Sequence, residues 1–192
     1  MKKRTFKKWL FPAAVASLVF LSACGGGATP AAESGTGGAS KDPIKVGAIF
    51  SLTGPNSPLG VPEKQAVELL VKEINGAGGV DGRPLEVIFE DDKSDNTEAV
   101  KAIKKLASKE KVVAVLGSSG SGPSLGMAEY AAAEKLPLIS MAAADQITNP
   151  VRAGIYKTPH TDVHGTKRIF KYLKEKGITK IATLNDSNPY GS

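Results

Sequence analysis

An α/β fold, a parallel sheet flanked by helices, is predicted by two features of the 192-residue sequence. From Asp42 onward, short and nearly continuous apolar runs alternate with amphipathic stretches of helical period. Strands that are apolar on both faces belong to a sheet covered on both sides, and helices between them supply the crossovers that parallel pairing requires.

The elements follow in order. Residues 44–50 (IKVGAIF) form a first apolar strand. Residues 61–75 form a helix: Pro62 suits its first position, Ala66, Val67, Leu70 and Ile74 make one apolar face, and Asn75-Gly76 stops it. A turn signal at residues 80–84 (VDGRP) leads into a second strand, 85–90. A second helix covers 97–109, with Val100, Ile103, Leu106 and Ala107 facing inward. Strand 112–116, helix 123–135 and strand 138–141 complete one domain of about 115 residues, a usual domain size. Residues 155–159 then lead into a fourth helix, 164–176, and a further strand, 180–184. One strand and one helix cannot bury their own faces, so 158–192 reads as a hinge and the incomplete start of a second α/β lobe, after a complete first lobe at 42–157.

The N-terminus is organised differently. Lys2, Lys3, Arg4, Lys7 and Lys8 make a basic head, residues 9–20 are apolar or small, and Leu21-Ser22-Ala23 precede the single cysteine, Cys24. A basic head, a short apolar stretch and small residues before a cut describe a signal peptide over residues 1–23. The stretch is too short to cross about 30 Å of hydrocarbon. Leu-Ser-Ala-Cys resembles the bacterial lipobox, which implies acylation of Cys24 and a membrane anchor without a span. A buried thiol in a helix is the weaker reading, because three glycines follow at once. Residues 25–40 (GGGATPAAESGTGGAS) are mostly Gly, Ala, Ser and Thr with almost no apolar bulk, so 24–41 reads as the acylated Cys and a flexible tether.

Of the net charge of +6, all but one unit belongs to this leader. Five basic residues lie in the first eight positions, leaving 20 basic against 19 acidic residues from Cys24 on. Such a balance gives no electrostatic footprint for a phosphate backbone, and scattered aromatics make no stacking platform, so nucleic acid is not an expected partner. The acidic run at 90–96 (EDDKSDN) fails the calcium-loop pattern, with Asn96 at position six and Ala102 at position twelve, and fits helix capping instead. His160 and His164 have no third ligand nearby in sequence, so no metal and no cofactor are expected.

In an open α/β sheet, ligands bind beyond the carboxyl ends of the strands. Three unusual loops leave strands at that end: residues 51–60, 117–124 and 140–145. In the second, glycines permit close backbone approach, while hydroxyls and free N–H groups at a helix start suit an anion. Read alone, that loop fits equally a Gly/Ser connector with capping serines.

The stretches GAIFSLTGP, INGAGGVDGRPLEVIFEDDKSD, AVLGSSGSGPSLGMAEYAAAEKLPLIS and LNDSNPYG, in this order, resemble the type I periplasmic-binding fold in its leucine/isoleucine/valine-binding branch. The resemblance covers residues 44–192. It implies an exported, lipid-anchored substrate-binding component of an ABC transporter. Such a protein captures an amino acid or related small carboxylate or amide between two lobes and docks on permease subunits. It further implies that Ser121 and the Gly122 amide hold a ligand carboxylate. Ala142 and Ala143 are implied as backbone contacts, Leu59 as an apolar wall, and Tyr190 as a second-lobe side chain over the cleft. Ala144 stands where amino-acid binders of the family carry Thr or Ser, which leaves the ligand class open. Closure is expected about Thr158 and Pro159.

Two other readings arise. A sensory module of the same fold would lack the lipobox or continue into a signalling segment. A serine hydrolase finds a foothold in residues 122–126 (GPSLG), but a nucleophile elbow needs its Ser directly after a strand, and Ser124 falls some eight residues too late.

Overall fold

The computed structural model describes residues 42–185 and 187–191. The predicted leader, Cys24 and the whole of the predicted tether lie outside the described residues. Five strands, β1 (Ile44–Phe50), β2 (Leu85–Asp91), β3 (Val115–Gly117), β4 (Leu138–Ser140) and β5 (Ile155–Lys157), form one sheet in the order β2-β1-β3-β4-β5. Every pairing is parallel; Ile44 to Phe50 run in register with Leu85 to Asp91, and Gly47, Val115 and Leu138 face Val115, Leu138 and Ile155 in turn. β5 joins the same sheet beside β4, where the sequence pattern suggested only a lead into the next helix.

Three helices connect strands, α1 (Ser57–Gly76), α2 (Asn96–Lys105) and α3 (Ser121–Ala133), and α4 (Asp162–Glu175) follows β5. α2 and α3 lie together over one face. There Ile49, Ile103, Leu106, Val115, Met127 and Leu138 are fully enclosed. Gly47 belongs to this face, since a Cβ on it would stand 2.7 Å from the Leu106 side chain. Alternation puts neighbours on opposite faces: Ile88 packs on this core, whereas Phe89 lies beneath α1, its ring 5.4 Å from Lys64 Nζ and 6.4 Å from the Phe50 ring.

Several expected boundaries shift. α1 starts at Ser57 rather than 61, so Pro62 sits inside the helix, where it offers no N–H to the carbonyl four residues back. Of the predicted apolar face, Val67 and Ile74 are half-buried, while Ala66 and Leu70 are exposed, because α1 rests only on the β1–β2 half of the sheet. Full cover was expected on both faces; among the described residues the second face is covered by α1 alone, and Tyr156 of β5 is exposed there. The second predicted helix is split, since α2 passes into a single π turn (Leu106–Glu110) closed by Lys111 at φ 59°. Residues 180–184 do not form the expected strand and are exposed throughout. A strand needs a neighbour to satisfy its backbone groups, and none of the described residues pairs with this segment. α4 likewise has no buried residue.

Candidate functional site

The strand order reverses at β1: the chain moves outward to β2, then crosses back to β3 on the other side. Loops leaving β1 and β3 therefore diverge and open a crevice at the carboxyl edge of the sheet. A cavity of about 530 Å³ occupies it, lined by Asn56 and Leu59 from the first loop and α1, Ser119–Gly122 from the β3–α3 junction, Met141–Ala143 after β4, and Tyr190.

The floor of this crevice is a buried polar network. Asp92 is fully buried; its carboxylate accepts from the Ser51 hydroxyl at 2.7 Å, from the Ser94 N–H at 2.8 Å and, in a short contact, from the Ser118 hydroxyl. The Ser118 oxygen accepts from the Gly120 N–H at 3.2 Å. Ser124 Oγ meets the Ser118 N–H at 3.1 Å and Ser140 Oγ at 2.7 Å, and Ser140 Oγ accepts from the Ala142 N–H at 3.0 Å. One chain of hydroxyls thus runs from the end of β2 to the loop after β4 and fixes the cavity-lining backbone on the way. Asp91, at the end of β2, accepts from Leu52 N, Thr53 N, the Thr53 hydroxyl and Lys93 N. Burial opposes ionisation of Asp91, but the Thr53 hydroxyl and the three N–H groups outweigh it and hold its carboxyl below the usual aspartate value. Of the acidic run read as helix caps, only Asp95 caps α2, accepting from Thr97 N and Glu98 N; Asp91 and Asp92 bind loops together.

α3 begins at Ser121 with its amino end against the cavity. Pro123 has no N–H and Ser124 N–H donates to Gly120 O, so the Ser121 and Gly122 N–H groups are the donors this helix start can aim outward. Ser121 Oγ accepts the Ala144 N–H at 3.3 Å, which leaves its own proton free to donate toward the cavity. Lys157 Nζ from β5 donates to the carbonyls of Ala143 and Ala144 at 2.7 and 3.2 Å and so ties the loop after β4 to β5. Thr161, at the head of α4, donates to Asp145 at 2.7 Å, and Asn149 donates to the same carboxylate at 2.9 Å. These two bonds, Thr161 first, hold the Asp145 carboxyl below its usual range, with help from Lys157 and His164.

The structure brings Leu59, Ser121, Gly122, Ala142, Ala143 and Tyr190 around one cavity. Ala144 is placed otherwise. It belongs to the same buried core cluster as Met127 and Ile147, and its backbone N–H donates to Ser121 Oγ, a contact that any residue other than proline supplies. Ser124 is fully buried with its hydroxyl engaged by Ser118 and Ser140, so it is no exposed nucleophile. Sequence reasoning missed Asp92 as the hub, and it missed Glu63. The Glu63 carboxylate accepts the Ser119 hydroxyl, which itself takes the Ser51 N–H at 3.2 Å. Burial raises the Glu63 carboxyl above the usual range; the Ser119 bond counters this in part and the charge of Asp92 adds to it. Asn56, in the loop 51–60, and Asn96, the last residue of the acidic run 90–96, also line the cavity wall, and sequence reasoning did not single them out as site residues.

Residues 43–192 match the family described as periplasmic binding protein. The Leu/Ile/Val-binding protein homolog 1 of Brucella abortus is 31% identical over 164 residues, which is 81% of this chain and 42% of that protein. Homolog 7 of the same organism is 28% identical over 84% of this chain and 43% of its own length. The chain thus spans less than half the length of the curated relatives it matches. Among solved structures, the branched-chain amino acid transporter substrate-binding protein LivJ of Streptococcus pneumoniae, in complex with isoleucine, superposes with a TM-score of 0.65 at 34% identity, over 70% of this chain and 38% of LivJ. A solute-binding protein of an ABC transporter from Rhodopseudomonas palustris, in complex with 3,4-dihydroxybenzoic acid, gives a TM-score of 0.72 at 28% identity, over 79% and 41%. The parallel sheet flanked by helices is that of the type I periplasmic-binding fold, and the chain belongs to the periplasmic binding protein family.

Proposed function

We propose that the protein is the extracytoplasmic solute-binding component of an ABC importer, capturing a small organic ligand that carries a carboxylate. The observation that carries this reading is the start of α3: Ser121 and Gly122 present a hydroxyl and two N–H groups to the cavity at the positive end of a helix. A carboxylate gains charge-assisted hydrogen bonds there from donors that are already in place. Residues 42–157 act as the first lobe and 158–192 as hinge and start of the second. The crossing is tied to the ligand loop by Thr158 N–H on Ser140 O at 2.9 Å and by Thr161 on Asp145, so movement at the hinge is felt at the site. Closure brings Tyr190 over the ligand and excludes water, no bond in the ligand is made or broken, and the closed form docks on permease subunits. An amino acid or a small aromatic or amide-bearing acid fits the cavity.

The test is a thermal-melting screen of the full-length protein against amino acids, aromatic acids and amides. A rise in melting temperature with at least one carboxylate is expected, since a ligand that binds only the folded state stabilises it; no shift with any small solute removes the reading. Acylation at Cys24, with anchoring to the outer face of the cell membrane, belongs to the same proposal. Cys24→Ser is expected to move the protein from the membrane fraction to the soluble one.

A further inference from the structure

Two carboxamides flank the helix start on which that reading rests. A Cβ placed on Gly120 would stand 2.6 Å from Asn56 Nδ2, and one on Gly122 would stand 2.6 Å from Asn96 Oδ1. A carboxamide head group therefore stands close against each of the glycines on either side of Ser121. Both asparagines line the same cavity as Ser121. Both stand on pinned backbone: Asn56 N–H donates to Ser94 Oγ at 3.0 Å, and Asn96 opens α2 directly after its cap, Asp95. Among the described residues neither carboxamide has a hydrogen-bond partner, although each carries two donors and an acceptor.

We propose that Asn56 and Asn96 select the ligand, so that the site takes a small carboxylate with a second hydrogen-bonding group, a hydroxyl or a carboxamide, in preference to one with a hydrocarbon side chain. The inference rests on solute capture in this cavity. Closure over a hydrocarbon strips water from both amides and returns nothing, whereas a hydroxyl or amide on the ligand replaces that water. Sites built to hydrogen-bond a polar group discriminate strongly against the analogue that lacks it, because their own polar atoms are left unpaired. Ser121 and Gly122 hold the carboxylate, and the carboxamide pair reads the rest of the molecule.

Isothermal titration of the full-length protein with two nearly isosteric pairs tests this: asparagine against leucine, and 4-hydroxybenzoate against benzoate. In whichever pair binds, the polar member is expected to bind at least about tenfold more tightly. Asn96→Ala, at an exposed position where folding is not at stake, and Asn56→Ala are each expected to bring that ratio toward one. Equal or tighter binding of leucine or benzoate overturns the inference, as does a polar preference that survives both substitutions. Failure of all four compounds to bind also overturns it, while the wider melting screen judges solute capture separately, so the two failures are distinguishable.

Discussion

Ser51 and Asp92, 41 residues apart in sequence, meet through a 2.7 Å hydrogen bond that joins the carboxyl ends of β1 and β2 beneath the crevice. With Ser118 and Ser94 on the same carboxylate, Asp92 fastens the loops of three strands. Asp92→Ala leaves two buried hydroxyls and an N–H without their acceptor, and the expected loss of stability is at least about 3 kcal/mol. Denaturant unfolding measures it; a loss within experimental error would show that the loops are held by other contacts.

Ser121 has two tasks, to hold the Ala144 N–H and to donate into the cavity. Ser121→Ala removes a charge-assisted bond to a ligand carboxylate, worth about 1.5–3 kcal/mol, and affinity for an anionic ligand is expected to fall roughly ten- to a hundredfold. Titration calorimetry on the full-length protein reads this directly. Unchanged affinity would place the carboxylate elsewhere.

Gly60 lies where α1 crosses the end of β1, and a Cβ there would stand 2.2 Å from Ser51 O. Backbone cannot yield as a flexible side chain does, so Gly60→Ala forces α1 off the sheet. A destabilisation of about 1–3 kcal/mol is expected, with weakened ligand binding because Leu59 and Asn56 move with the helix start. Melting temperature and titration of the same variant check both effects.

Glu63 gives a pH signature. Its carboxyl is raised in the folded state by burial, so folding favours the protonated form. The stabilising contribution is therefore fully present at low pH, below the unfolded value of about 4.3, and is lost as pH rises through the folded value. Glu63→Gln keeps an acceptor for Ser119 without the charge. The variant is expected to melt above the parent at pH 7 to 8, with the difference vanishing as pH falls toward the ordinary glutamate value. A difference that stays constant across pH would mean the charge of Glu63 is not the cause.

Much of this architecture is legible in the sequence because it is local. The apolar run IKVGAIF becomes β1 as read, and the stop at Asn75-Gly76 lies where α1 ends. The three loops singled out for chemistry do line one cavity, since the carboxyl ends of parallel strands all point the same way. Where the reading strayed, the cause was a partner not visible along the chain. Pro62 marked a helix start in sequence, but the turn at Asn56, whose carbonyl accepts from Leu59 and Gly60, begins the helix earlier. Residues 180–184 have the composition of a strand, yet composition supplies no neighbour.

By itself, then, the sequence determined the alternation of strands and helices, the Gly- and Ser-rich helix start at Ser121, and the charge balance of residues 24–192, because periodicity, capping and charge are properties of contiguous residues. Only the tertiary structure decided that β3 crosses back beside β1, that Asp92 gathers Ser51 and Ser118, that Ala144 turns into the core, and that Asn56 and Asn96 stand against the glycines beside Ser121. Those relationships depend on strand order and register, which bring residues dozens of positions apart within hydrogen-bonding reach and leave no trace in the spacing of any one segment.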